Sequence, residues 1–305
     1  MRLSRAHFEK AVLARVKPSG QFSDAGYRFH SDLKRAIELG DQGAMKDHLS
    51  AAKILMDQNR FKGKDFALLL NSISKVNNKQ SLNEELQDII SHLEVKVSKS
   101  PAFLLSLSPV DTAQLLNGLV KVNEALNEHS QKLNSRIINR ITEQIPTKLP
   151  LYQDHHLAIV LHALAASKSQ AFHVISEIVN EIENSRDLES FTPQGVVMIA
   201  NALSRLKVRR NPTVVSLWGS IMKRTLSIRD GEMQPRWPGV ILSAVSYAGL
   251  KPWEIQSEFL QRLMTRATRD FETGRLERVH YMKCLTTATN MGLTLHIEHS
   301  HDSKR

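Results

Sequence analysis

Apolar residues recur along this chain in stripes that a helix would bury on one side. In LLNSISKVNN, residues 69–78, Leu69, Leu70, Ile73 and Val76 fall at i, i+1, i+4 and i+7. That spacing lines one face of a helix and cannot line one face of a strand. At residues 115–124 the chain reads LLNGLVKVNE, with six of the ten letters unchanged. Related segments follow at 160–167 (VLHALAAS), 199–206 (IANALSRL), 241–248 (ILSAVSYA) and 284–291 (CLTTATNM). Aligned on their third letter, they put Asn71, Asn117, His162, Asn201, Ser243 and Thr286 in one column, spaced 46, 45, 39, 42 and 43 residues apart. Periods of that length belong to stacked two-helix repeats.

The core positions align as well. They run Leu115, Leu116, Leu119, Val122; Val160, Leu161, Leu164, Ser167; Ile199, Ala200, Leu203, Leu206; Ile241, Leu242, Val245, Ala248; and Cys284, Leu285, Ala288, Met291. One residue past the polar column comes a mostly small one: Ser72, Gly118, Ala163, Ala202, Ala244, Thr287. Small side chains there would let a neighbouring helix come close.

A second helical segment follows each copy. Ser81 with Glu84 predicts a capping box before ELQDIISHLEVKV. Leu133, Ile137, Ile138 and Ile141 mark the second partner helix, and Phe172, Ile175, Ile178, Val179 and Ile182 the third. Asn211–Pro212 predicts the start of the fourth, Pro252 that of the fifth, and Thr192–Pro193 that of a first helix. The expectation is an all-α fold, an α-solenoid of about six stacked helix pairs over residues 64–292. A helical cap is expected over 26–63, a basic arm or targeting segment over 1–25, and a polar histidine-containing tail over 293–305.

On a helical wheel Asn71 lies about 160° from the centre of its apolar stripe, and Lys75, four residues on, shares its side. The equivalent residues are Lys121, Ala166, Arg205, Tyr247 and Asn290. Stacked repeats would align these two columns as one strip. Asn, Ser and Thr can donate to and accept from base edges, Lys and Arg neutralise phosphates, and Tyr247 could stack a base. Two other readings stay open: the column is merely solvated, or its asparagines bond between repeats. RLKVRR at 205–210 adds Lys207, Arg209 and Arg210, and the fifth partner helix adds Arg262, Arg266 and Arg269, as phosphate-contact candidates.

Charge supports an acidic partner. The net charge is +10, with 13 Lys/Arg against 7 Asp/Glu in residues 1–64, 11 against 15 in 65–190, and 17 against 9 in 191–305. Basic ends favour RNA; the acidic middle favours a protein scaffold that grips a peptide or helix. MRLSRAHFEKAVLARVKPSG at the N-terminus reads either as an amphipathic organelle-targeting segment or as a structural basic arm.

Chemistry is harder to find. No phosphate-binding glycine loop, HExxH, CxxC pair or nucleophile elbow occurs. The single cysteine, Cys284, falls on a core position and excludes an internal disulfide. His155 and His156 read as surface residues at a helix start, and His296, His299 and His301 as part of a polar tail. No catalytic residue, metal ligand or cofactor is expected, nor a small-molecule substrate, and no apolar stretch is long enough for a membrane helix.

The polar columns on LLN-(I/L)-KV-like segments resemble those of organellar helical-repeat RNA-binding proteins. The octotricopeptide and heptatricopeptide types are nearest, followed by the repeat region of FAST-kinase-like proteins. The resemblance covers residues 64–292. It implies an enzyme-free RNA-binding solenoid, with a mitochondrial location, ribosomal or other organellar RNA and neighbouring ribonucleoprotein subunits as partners. A divergent mitochondrial ribosome subunit would fit it. A cytoplasmic or other organellar setting is the alternative.

Overall fold

Polar caps and prolines set most helix starts in the computed structural model, which describes residues 23–206, 211–250 and 252–291. Among the described residues every regular element is helical. In chain order the helices are α1 (Ser23–Leu39), α2 (Gln42–Asp57), α3 (Gly63–Ile73), α4 (Asn83–Lys99), α5 (Pro101–Ser106), α6 (Pro109–Val122) and α7 (Glu128–Thr142). There follow α8 (Asp154–Ala166), α9 (Phe172–Ser185), α10 (Pro193–Leu206), α11 (Pro212–Ser227), α12 (Trp237–Tyr247), α13 (Ser257–Glu272) and α14 (Arg278–Asn290). Asn211 Oδ1 accepts the Val214 N–H at 2.8 Å, and Thr192 Oγ1 accepts that of Gly195 at 3.1 Å, so both expected caps are made. Ser108 and Asp111 form a reciprocal capping box ahead of α6.

Two compact units divide the chain, the division falling within α8 and α9. In the first unit, α1, α3 and α6 pack side by side in one row, and α2, α4 and α7 in another. Helices in the second of these rows run parallel, as side-chain contacts between neighbours show. Lys53 meets Asp88, Asp57 meets His92 and Asn59 meets Lys96, so α2 and α4 rise together. Gln87 with Asn127, then Glu94 with Arg136, show the same for α4 and α7. The cap is thus one more helix pair in the same two rows, starting at Ser23. In the second unit α10, α12 and α14 form one row, and α11 packs on α13.

The aligned stripes form the core. Leu69, Leu70, Ile73, Leu115, Leu116, Leu119 and Val122 are buried in the first unit, and Ile199, Ala200, Leu203, Leu206, Ile241, Leu242 and Val245 in the second. Side chains of this size contribute about 1.5–3 kcal/mol each on full burial. In α14 the pattern weakens. Cys284 and Ala288 are buried, but Leu285 and Met291 remain partly exposed because no described helix follows α14.

Four local expectations need correction. Ser81 makes no capping box: it lies in a 3-10 turn, Lys79–Leu82, and its hydroxyl donates to the Asn78 carbonyl. Pro252 opens another 3-10 turn, Pro252–Glu254, and α13 starts only at Ser257. His156 is buried rather than on the surface. Burial, then the adjacent His155, holds its imidazole below the ordinary histidine range. Finally, α5 is an extra short helix between α4 and α6, and it fills the longest of the repeat spacings. The N-terminal arm and the C-terminal histidines lie outside the described residues.

Candidate nucleic-acid interface

Gly118 fixes how the two rows of polar residues meet in the first unit. A Cβ at this position would lie 2.8 Å from the Leu70 carbonyl carbon and 3.0 Å from the Asn71 nitrogen. The expected small residue therefore permits backbone-level contact between α3 and α6. Replacing Gly118 with alanine sets two effects against each other. Helix propensity gains about 1 kcal/mol, while overpacking against unyielding backbone costs about 1–3 kcal/mol. The variant should lose roughly 1–2 kcal/mol, read as a lower urea midpoint by circular dichroism; a raised midpoint would contradict the close approach.

The contact brings equivalent residues together. Asn117 Nδ2 donates to Asn71 Oδ1 at 3.5 Å, the long limit for such a bond. Both asparagines are half-buried, because helices in a row cover each other's flanks. The inter-repeat reading of the column therefore holds at this pair. One turn further, Lys75 and Lys121 are exposed. Lys79, which the strip did not include, joins them from the 3-10 turn that ends the first copy. Burial, then the ammoniums of Lys75 and Lys79, holds Lys121 below the ordinary lysine range. No acid forms an ion pair with any of the three among the described residues. The sequence did carry a signal for Lys79, since it stands four residues after Lys75, but the helix ends at Ile73 and a turn delivers it.

Among the remaining strip residues, His162 on α8 is half-buried. In the second unit Asn201 and Ser243 are half-buried, while Thr286, Arg205 and Asn290 are exposed and Tyr247 is 79% exposed. Serines three residues beyond the column donate back to its backbone: Ser74 to Asn71, Ser204 to Asn201 and Ser246 to Ser243, at 2.7–2.9 Å. Lys207, Arg209 and Arg210 lie outside the described residues.

The three arginines of α13 do a different job from the one expected. Arg266 is buried; its Nε bonds Asp270 at 2.6 Å, one Nη donates to the Asp230 carbonyl and the other to that of Met233 at 2.7 Å. Arg262 donates to the Ile228 carbonyl at 2.6 Å, and Arg269 pairs with the Asp230 carboxylate. The hydrogen bond from Arg269 holds the Asp230 carboxyl below the usual carboxylate range. The guanidiniums tie segment 228–233 to α13. Arg266 is buried and bonded to three groups within the chain, and Arg262 and Arg269 are also bonded within the chain.

No group of three or more His, Cys, Asp or Glu side chains that could hold a metal gathers among the described residues. No described helix is long and apolar enough to cross a membrane. No protein-family model matches the chain, and no curated protein matches it in sequence.

Proposed function

We propose that the protein binds single-stranded RNA through the polar columns of its repeats, as a structural component of an organellar ribonucleoprotein such as the mitochondrial ribosome. The observation that carries the RNA reading is the cluster of Lys75, Lys79 and Lys121, in which burial and then the neighbouring ammoniums lower the proton affinity of Lys121, and with which no acid pairs among the described residues. The helix ends nearby favour cations by about 0.3–1 kcal/mol each, which helps to keep the lysines there but leaves their mutual repulsion. A phosphate backbone relieves that repulsion and releases its own counterions. Half-buried Asn71 and Asn117 beside the cluster supply donors and acceptors held in place by the backbone contact at Gly118. The organelle and the particle rest on the resemblance of the repeated segments and on the basic N-terminal sequence.

Filter binding of an oligouridylate across a salt series tests the reading. Replacing Lys75, Lys79 and Lys121 together with glutamate should weaken binding at least about tenfold and flatten the log–log salt slope by about 2, given roughly 0.7 per lost phosphate contact on a single strand. Circular dichroism should be unchanged, because the lysines lie outside the core. A variant that binds as well as the parent sinks the RNA reading and leaves the protein scaffold as the better one.

A further inference from the structure

The repeat does not need α5. A spacing of 39 residues suffices between the third and fourth copies, whereas 46 separate the first and second, and α5 sits in the excess. This short helix is tied to its surroundings. Ser100 caps it and Pro101 starts it. Lys148 Nζ donates to the carbonyls of Leu105 and Leu107, both at 2.8 Å. Gly63 leaves room for Leu107, whose Cδ2 would lie only 2.3 Å from a Cβ there.

Between α5, the C-terminal end of α4 and the turn entering α3 lies a groove of about 550 Å³, lined by Phe61, Lys62, Val95, Lys96, Lys99 and Phe103 among others. Its composition is lopsided. Three lysines line it and no carboxylate does. Their charge outweighs the roughly half unit of negative charge at the α4 C-terminus. Val95 is 48% exposed in it, and Ala102 of α5, which also lines it, is exposed. Val95 lies on the side of α4 opposite its buried residues, Leu86, Ile89, Ile90, Leu93 and Val97, and is left bare at the groove.

We propose that this groove docks an acidic amphipathic segment of a partner protein, its apolar side chains on Val95 and Ala102 and its carboxylates on the lysine rim. Charge complementarity selects an acidic occupant, and the nature of the apolar surface selects a peptide over RNA. Base stacking needs an open aromatic face, and the rings of Phe61 and Phe103 are almost fully covered, at 4% and 9% exposure. Groove docking of an amphipathic helix needs only aliphatic anchor positions and a charged rim.

Fluorescence anisotropy with the full-length chain provides the test. The probe is a fluorescein-labelled helical peptide of leucine and glutamate in amphipathic order, with a leucine–lysine peptide of the same order as control. The leucine–glutamate peptide should bind, and the control should not. The double variant Val95→Glu, Lys99→Glu should weaken binding at least about tenfold, or about 1.4 kcal/mol, with unchanged circular dichroism. The Lys75, Lys79, Lys121 glutamate variant should bind the peptide like the parent, so a failure here is distinct from a failure of RNA binding. No binding to the parent, equal binding of the double variant or of the control peptide, or displacement of the peptide by oligouridylate would each overturn the proposal.

Discussion

Replacing Asp270 with alanine is expected to destabilise the second unit by about 3–5 kcal/mol, the range for stripping one partner from a buried ion pair. Asp270 is fully buried and meets Arg266 at 2.6 Å and Arg275 at 2.7 Å. Its loss leaves the Arg266 guanidinium, itself almost fully buried, without a counter-charge. Arg266 also holds the carbonyls of Asp230 and Met233, so segment 228–233 loosens with it. All three tryptophans, Trp218, Trp237 and Trp253, fall in this unit, which makes tryptophan fluorescence under urea a local readout. The double variant Arg266→Met, Asp270→Leu separates the causes. If an orphaned charge explains the cost, removing both charges should recover much of it, since apolar replacement of a buried pair is often neutral. A single variant with an unshifted midpoint would show that the pair is solvated after all.

Leu116→Ala is expected to cost about 2–5 kcal/mol, from lost transfer energy plus the cavity left in a packed interior. Leu116 has no exposed surface and sits on the stripe that α6 presents to its neighbours. Leu203, which aligns with Leu119 on the same stripe, is also buried in the second unit, so Leu203→Ala should behave alike. Urea denaturation followed by far-ultraviolet circular dichroism measures both. An unchanged midpoint for Leu116→Ala would place the stripe on the wrong face.

The fold was legible because one repeated pattern, an apolar stripe with a mostly small residue beside a polar one, recurs six times, with six of ten letters unchanged between the first two copies. The polar column is less open than a helical wheel suggests, for a physical reason. A wheel assumes one buried face, but a helix inside a row is covered on both flanks, which draws Asn71 and Asn117 into contact with each other. Arg266 was read as a phosphate contact although the sequence marks it, with Asp270, as a core position. They continue the i, i+4, i+7, i+11 series begun by Phe259 and Leu263, which puts them on the core side of α13. His156 likewise precedes Val160 by four and shares its stripe. In each case residue type outweighed position. What no pattern marks is the carbonyl partner of a buried guanidinium, because segment 228–233 is brought to Arg266 by tertiary packing alone. The groove beside α5 had a faint trace in the surplus length of the first spacing and in the prolines that bracket FLLSLS.

Packing in rows also sets the reach of each contact. Named bonds between successive repeats join residues 32 to 46 apart, from Arg262–Asp230 to Asn117–Asn71. Closing such short loops carries a modest entropy cost, and topologies dominated by local contacts fold quickly. A ribosome adding about 5–20 residues per second takes roughly 2–9 s to deliver one repeat, whereas helices and short loops settle in microseconds. Each pair can therefore fold while the next is still being made. Its outward flank stays bare until then, so during synthesis the sticky surface is always the most recent helix, later covered by its successor. Among the described residues α14 keeps such a flank, with Val279 71% and Met282 45% exposed.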